Sequence, residues 1–258
     1  MNINEISTQL LFMTTPIYTR KANGENMVGT GFFFNKAHPT EPNKFMPVLV
    51  TNKHVIENAA EGIIQLYRAD SEGKPIIENR IHINLDKSFF SQFLISPNYD
   101  LSMIPITGLF NLAESKGEKI FYRAADNSIV PTIQQLNSLC ALEDIVFIGY
   151  PSGIIDSRNG LPIIRKGITA SPLWGNFQGR SEFLIDAGVF PGSSGSPVFI
   201  LNQGSFATGT NLVVGTRVIL VGILYQTIQS SSEKAYIGIG KVIQTCEIIN
   251  MLNEFDKK

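Results

Sequence analysis

Pro191-Gly192-Ser193-Ser194-Gly195-Ser196-Pro197 runs straight into the apolar stretch Val198-Phe199-Ile200. The pattern is G-x-S-G-x-P at the mouth of a strand. Glycines on both sides of a serine let the backbone turn tightly without a Cβ clash. Such a turn pushes the Ser194 hydroxyl outward and leaves the amides of Gly192 and Ser194 aimed at one point beside it. Two converging amides form an oxyanion hole, which stabilises the negative oxygen of a tetrahedral intermediate. An ordinary Gly/Ser loop is the competing reading. The rest of the chain decides between the two by whether it supplies a base and an acid.

A base stands at His54. Residues 46–51 (MPVLVT) form a short apolar strand that ends in the single helical turn Asn52-Lys53-His54-Val55-Ile56-Glu57. A lone histidine is usually a packing or surface residue, but one that closes a buried strand is held rigidly. The acid is Asp100, which follows the turn Ser96-Pro97-Asn98-Tyr99 and precedes the apolar run Leu101-Ser102-Met103-Ile104. A plain turn aspartate is the alternative there. The order His54, Asp100, Ser194 is that of the chymotrypsin arrangement, not of subtilisin or the α/β-hydrolases. His82 alternates with Ile81 and Ile83 and faces solvent in this reading.

Around these three residues the chain reads as many short strands. They cover residues 28–35, 62–68, 75–85, 144–149, 162–170, 182–186, 197–201, 212–225 and 235–239. Residues 6–13 suit a short helix, 108–138 read as a linker, and 241–255 carry apolar residues at the spacing of a terminal amphipathic helix. Gly29-x-Gly31 is no dinucleotide site, since Phe34 stands where the third glycine belongs and no helix follows.

Composition excludes several function classes. The chain has 258 residues, 43% of them apolar, and a net charge of −1. It shows no basic run or stripe, so no nucleic-acid partner is expected. Glu5 and the short run Leu10–Met13 do not make a signal peptide, and no apolar stretch is long enough to cross a bilayer. These features predict a cytoplasmic protein without a membrane partner. Cys140 and Cys246 lie in no C-x-x-C and are expected to be free, buried thiols. Three histidines and two scattered cysteines give no metal spacing, so no cofactor or metal is expected.

Together the motifs resemble the trypsin-like serine peptidases, above all the bacterial HtrA (Deg) type and the glutamyl endopeptidases. Gly29-Thr30-Gly31-Phe32 and Val50-Thr51-Asn52-Lys53-His54-Val55-Ile56 are similar to the family's histidine region, and Tyr99-Asp100-Leu101-Ser102-Met103-Ile104 to its aspartate strand. The run from Val146 to Gly153, with Gly167-Ile168, resembles the opening of the second barrel, and Asp186-Ala187 with Pro191 to Phe199 the nucleophile region. The resemblance implies an all-β fold of two six-stranded antiparallel barrels with a C-terminal helix. It divides the chain into 1–112, carrying His54 and Asp100, and 113–258, carrying Ser194. It implies a Ser194 nucleophile, a His54 base, an orienting Asp100, an oxyanion hole at Gly192 and Ser194, and a peptide or protein substrate.

For the substrate pocket the resemblance places Gly188 at the base and Ile223, Leu224, Tyr225 and Gln226 on the lining strand. With no charge at its base, the pocket is expected to take a small or medium apolar residue before the cut. Asp186 either enters the pocket or orders the Pro191 loop. There are departures from the family pattern. Ser193 stands where trypsin-type zymogens carry an aspartate, no PDZ module follows the barrels, and no signal peptide precedes them. Three functions remain open: an active intracellular endopeptidase, a latent one that an activating protein partner switches on through Pro191-Gly192 or residues 154–163, and a silent protease-shaped binding module. The complete Ser-His-Asp set speaks against the last.

Overall fold

Phe32-Phe33-Phe34 shows how one strand serves two cores. Side chains alternate across a strand, and here both faces are buried. Phe32 and Phe34 join a cluster shared by both halves of the molecule, while Phe33 joins a cluster confined to the first half. The computed structural model describes residues 2–38, 40–41, 44–151, 154–156, 158–208, 211–229 and 236–257.

The first half is built from β1 (Thr14–Lys21), β2 (Asn26–Ala37), β3 (Phe45–Thr51), β4 (Ala59–Ala69), β5 (Pro75–Asp86), β6 (Leu94–Ile95), β7 (Ser102–Pro105) and β8 (Ile120–Phe121). Their order in the sheet is β5-β4-β1-β2-β3-β7-β6, with β8 on β4, and every recorded pair is antiparallel. The second half is a closed six-stranded barrel. Its strands are β9 (Asp144–Gly149), β10 (Ile163–Thr169), β11 (Glu182–Asp186), β12 (Pro197–Asn202), β15 (Arg217–Gln229) and β16 (Tyr236–Gln244), in the order β10-β11-β16-β15-β12-β9. A separate hairpin, β13 (Ser205–Thr208) with β14 (Asn211–Val214), projects between β12 and β15.

The helices are short: α1 (Ile6–Leu10), α2 (Lys53–Ile56), α3 (Lys87–Phe90), α4 (Thr107–Ser115), α5 (Ile133–Asn137) and α6 (Thr245–Glu254). The double-barrel fold expected from the sequence is present, with three differences in detail. The first half is a curled eight-stranded sheet, and among the described residues its edges β5 and β6 do not pair. The terminal helix starts at Thr245, not at 241, because Lys241–Gln244 complete β16 against β11 and β15. The expected strand 212–225 is two strands broken at Gly215-Thr216, where Gly215 N–H bonds Gly204 O.

The division at 112/113 cuts through α4. Beyond it, Arg123 N donates to Phe12 O and Ala125 N to Phe33 O, so the chain stays on the first sheet until about Ala125. The region read as a linker therefore carries α4, β8 and α5. Both thiols are free, yet exposed rather than buried. Residues 152 and 153 of the expected turn after Tyr150, residue 157 of the 154–163 loop and Ala235 of the expected last strand lie outside the described residues. No helix among those described is long and apolar enough to cross a membrane.

Candidate active site

The end of β3 presents the base. Asn52 leaves the strand in an extended conformation, and α2 follows as a single turn that buries Val55 and Ile56 and turns His54 toward a cleft. Both oxygens of Asp100 are spent on that histidine. Its backbone N–H donates to Oδ1 at 3.0 Å, and Nδ1 lies 2.5 Å from Oδ2. Fully buried Asn52 donates from Nδ2 to the Asp100 carbonyl at 2.7 Å, which fixes the aspartate's backbone as well. With Nδ1–H directed at a carboxylate, Nε2 is the nitrogen left to accept a proton.

The Ser194 loop is pinned from both halves. Thr30 N of β2 donates to Ser194 O at 2.8 Å, and Gly195 N donates to Leu224 O of β15 at 2.8 Å. Gly195 has φ +90°, and a Cβ there would lie 1.8 Å from Thr30 O, so no other residue fits. Upstream, Ser193 N donates to Phe190 O at 3.1 Å, closing a turn with Pro191 and Gly192 at its corner and Gly192 at φ +88°. Proline then glycine with positive φ is the type II combination. The Thr30 hydroxyl donates to Gly192 O at 3.2 Å and accepts from Tyr150 N at 3.1 Å. Among the described residues the amides of Gly192 and Ser194 donate no hydrogen bond.

His54, Asp100 and Ser194 line one cleft of about 450 Å³ together with Val189, Phe190, Pro191, Leu224, Tyr225, Gln226 and Thr227. The Ser194 hydroxyl donates to the Tyr225 carbonyl at 3.3 Å. The Tyr225 hydroxyl points away from the cleft and donates to Glu182 Oε2 at 2.8 Å. Burial, then the neighbouring Glu182, pushes that phenol's pKa up. A larger cleft, about 1100 Å³, opens on the first sheet beside β1, β4 and α3 and holds none of the three candidate residues.

Of the pocket residues read from the sequence, Leu224, Tyr225 and Gln226 line the cleft and two do not. Ile223 is fully buried in the core shared by the two halves. Gly188 is not part of the lining; its N–H donates to Gly238 O at 3.1 Å, and the Arg165 guanidinium occupies the space a Cβ there would need. Asp186 ends β11 outside the lining, its Oδ1 3.7 Å from where a Cβ on Gly238 would stand. The sequence reading gave no role to Thr30 or Thr227. For Thr30 the signal was its place between Gly29 and Gly31, and for Thr227 none was present. Among the described residues no group of acidic, histidine or cysteine side chains could hold a metal.

A family model described as a trypsin-like peptidase domain matches residues 29–209. The fold is similar to that of an M. tuberculosis protease, Rv3671c, in its active form, with TM-score 0.51 and 14% identity over 97% of this chain and 83% of that one. It is also similar to Deg5, with TM-score 0.53 and 16% identity over 96% and 90%. A third likeness is to a scabies mite inactivated protease paralogue, with TM-score 0.53 and 11% identity over 97% of each chain. At these identities the likeness is one of fold alone. Among curated proteins none matches the chain.

Proposed function

The chain belongs to the trypsin-like peptidase family, and from that premise we propose that this serine endopeptidase works through Ser194 as nucleophile, His54 as general base and Asp100 as the acid that orients it. The observation that carries this reading is the shared cleft, with His54 Nδ1 2.5 Å from Asp100 Oδ2 and the Ser194 hydroxyl in the same wall.

In this reading the Ser194 hydroxyl turns from the Tyr225 carbonyl to His54 Nε2 as it attacks the peptide carbonyl. His54 takes the proton, Asp100 stabilises the imidazolium, and the amides of Gly192 and Ser194 receive the oxyanion. His54 returns the proton to the leaving amine. Water, activated by the same base, then hydrolyses the acyl-enzyme. Substrate backbone adds as a strand beside Gln226-Thr227.

Ser194→Ala is expected to keep the fold and lower kcat by about 10⁴ to 10⁶. Labelling by a fluorophosphonate should vanish with it. A Ser194→Ala protein that still hydrolyses a peptide at the parent rate would refute the assignment.

A latent form is the second reading, and the Ser194–Tyr225 bond favours it, since the hydroxyl rests on a carbonyl instead of on the base. A partner or substrate strand that competes for that carbonyl would release it. Labelling of the isolated protein at ordinary protease rates, unchanged by added peptide, would exclude latency. The free thiols Cys140 and Cys246 support an intracellular setting, which cell fractionation tests.

A further inference from the structure

The His54–Asp100 pair comes from the first half of the molecule and Ser194 from the second, so their relative placement rests on whatever ties the two halves beside the cleft. One continuous set of side chains does so. Arg180, just before β11, donates from Nη2 to Asn98 O at 2.9 Å, two residues before Asp100. Its guanidinium lies 4.8 Å from the ring centroid of Tyr99, the residue next to Asp100, and the Tyr99 hydroxyl accepts from Ser181 N at 3.2 Å. Arg180 Nε also donates to Glu182 Oε1 at 2.6 Å. The other oxygen of Glu182 accepts from the Tyr225 hydroxyl, and the Tyr225 carbonyl holds Ser194.

Glu182 is 4% exposed. Burying a carboxylate is costly unless it is paired and hydrogen-bonded, and here one oxygen pairs with Arg180, which reaches across to Asn98, and the other with Tyr225 of its own half. The planar guanidinium fits the role because one group can stack on a ring, donate to a carbonyl and pair with a carboxylate at once. Neither Arg180 nor Glu182 lines the cleft.

We propose that Arg180 and Glu182 are positioning residues, a clasp that sets the Asp100 segment of the first half against the Tyr225 segment of the second and so fixes His54–Asp100 relative to Ser194. The inference rests on the triad reading for its kinetic consequence. Its geometric consequence, the placement of Asp100 on His54, holds whether or not the protein turns over.

The test compares Arg180→Ala, Arg180→Lys and Glu182→Gln with the parent and with Arg217→Ala. The last variant breaks a more deeply buried pair, Arg217 Nη2 to Glu143 Oε2 at 2.6 Å, whose residues do not line the cleft. kcat and KM are measured on a peptide substrate, Tm on each variant, and the downfield proton resonance of the His54–Asp100 hydrogen bond by NMR. A displacement of about 1 Å at such a site can cost on the order of 10²-fold. Arg180→Ala and Glu182→Gln should therefore lower kcat by about 10- to 100-fold with KM within about twofold of the parent, and should shift or remove the resonance. Arg180→Lys should recover part of both, while Arg217→Ala lowers Tm and leaves kcat and the resonance unchanged. The proposal is overturned if Arg180→Ala and Glu182→Gln keep parental kcat and resonance, if only KM changes, or if Arg217→Ala loses as much kcat as they do. If the parent neither hydrolyses peptides nor labels at Ser194, even with an excess of peptide added, the triad reading has failed, and the resonance in Arg180→Ala alone decides the clasp.

Discussion

Thr30 is the residue on which most of the catalytic geometry converges. Fully buried, it meets the Ser194 loop through its amide, the Gly192 carbonyl and the Tyr150 amide through its hydroxyl, and the Thr51 hydroxyl through its own carbonyl. Valine has the same shape and none of the hydroxyl's hydrogen bonds. Thr30→Val leaves the Tyr150 N–H without its acceptor, at about 1–3 kcal/mol, and frees the turn that carries the Gly192 amide. We expect kcat to fall by up to roughly 10² to 10³, the worth of one oxyanion donor, with Thr30→Ser recovering most of it. Parental kcat in Thr30→Val would show that the turn holds itself. Asp100→Asn should fold and lose about 10⁴ in kcat. Asp86 is the contrasting acid. The Ser88 hydroxyl and the Phe89 amide hold its carboxyl below the usual range, and it caps α3. Asp86→Asn keeps a side chain that can cap α3 and should leave kcat alone. Activity lost in Asp86→Asn and kept in Asp100→Asn would reverse the assignment.

At the scale of elements, β15 does the most to shape the cleft. Its pairing with β16 shifts register between Leu224 and Gln226. An extra residue in one strand re-aims its neighbours, and here it leaves the Tyr225 carbonyl facing Ser194 while the side chain turns to Glu182. Opposite it runs the 188–191 segment. The sequence suggests an uncharged pocket there, but the structure brings a charge close. Arg165 Nη2 of β10 lies 2.7 Å from where a Cβ on Gly188 would stand, and its guanidinium packs on the Phe190 ring at 5.1 Å. A cationic side chain entering between Phe190 and Thr227 approaches a like charge. Among peptides differing only before the cut, Lys should therefore be among the poorest, by roughly tenfold or more for each 1.4 kcal/mol of repulsion, and Arg165→Ala should narrow the gap. Preferred cleavage after Lys by the parent, lost in Asp186→Asn, would make Asp186 the specificity residue instead.

For the molecule as a whole, the shared core decides how it unfolds. Phe32, Phe34, Val48 and Val50 of the first half pack in one cluster with Val146, Ile148, Phe199 and Ile243 of the second, and α6 adds Ile248, Met251 and Leu252. Lys36 of β2 pairs with Asp256 beyond α6 at 2.5 Å, and Arg158 of the second half pairs with Glu78 of β5 at 3.0 Å. Halves that share a core lose it together. Calorimetry should give one cooperative transition, and residues 1–125 expressed alone should lack cooperative unfolding. Two separated transitions would show that each half holds its own core.

The chain order of His54, Asp100 and Ser194, the strand-rich pattern and the glycines around the nucleophile were legible in the sequence, because each is a local property. A strand ends where the alternation stops, and a tight turn needs Gly192 and Gly195 whatever surrounds it. The terminal helix was legible too, though not its start, since Lys241–Gln244 suit either element and pairing with β11 and β15 settles the matter. What required the tertiary structure is everything that depends on which strands meet. Ile223 and Leu224 are equally apolar, fully buried neighbours, yet one packs in the core shared by the two halves and the other in the core of the second barrel beneath the cleft, because the facing of a strand is fixed by what packs on each side. Gly188 lost its place in the pocket and Arg165 came near it for the same reason. Thr30 and Arg180 lie far in sequence from the residues they hold. Their roles arise only where the two halves touch, and that contact is made by burial of a common core, which no local pattern records.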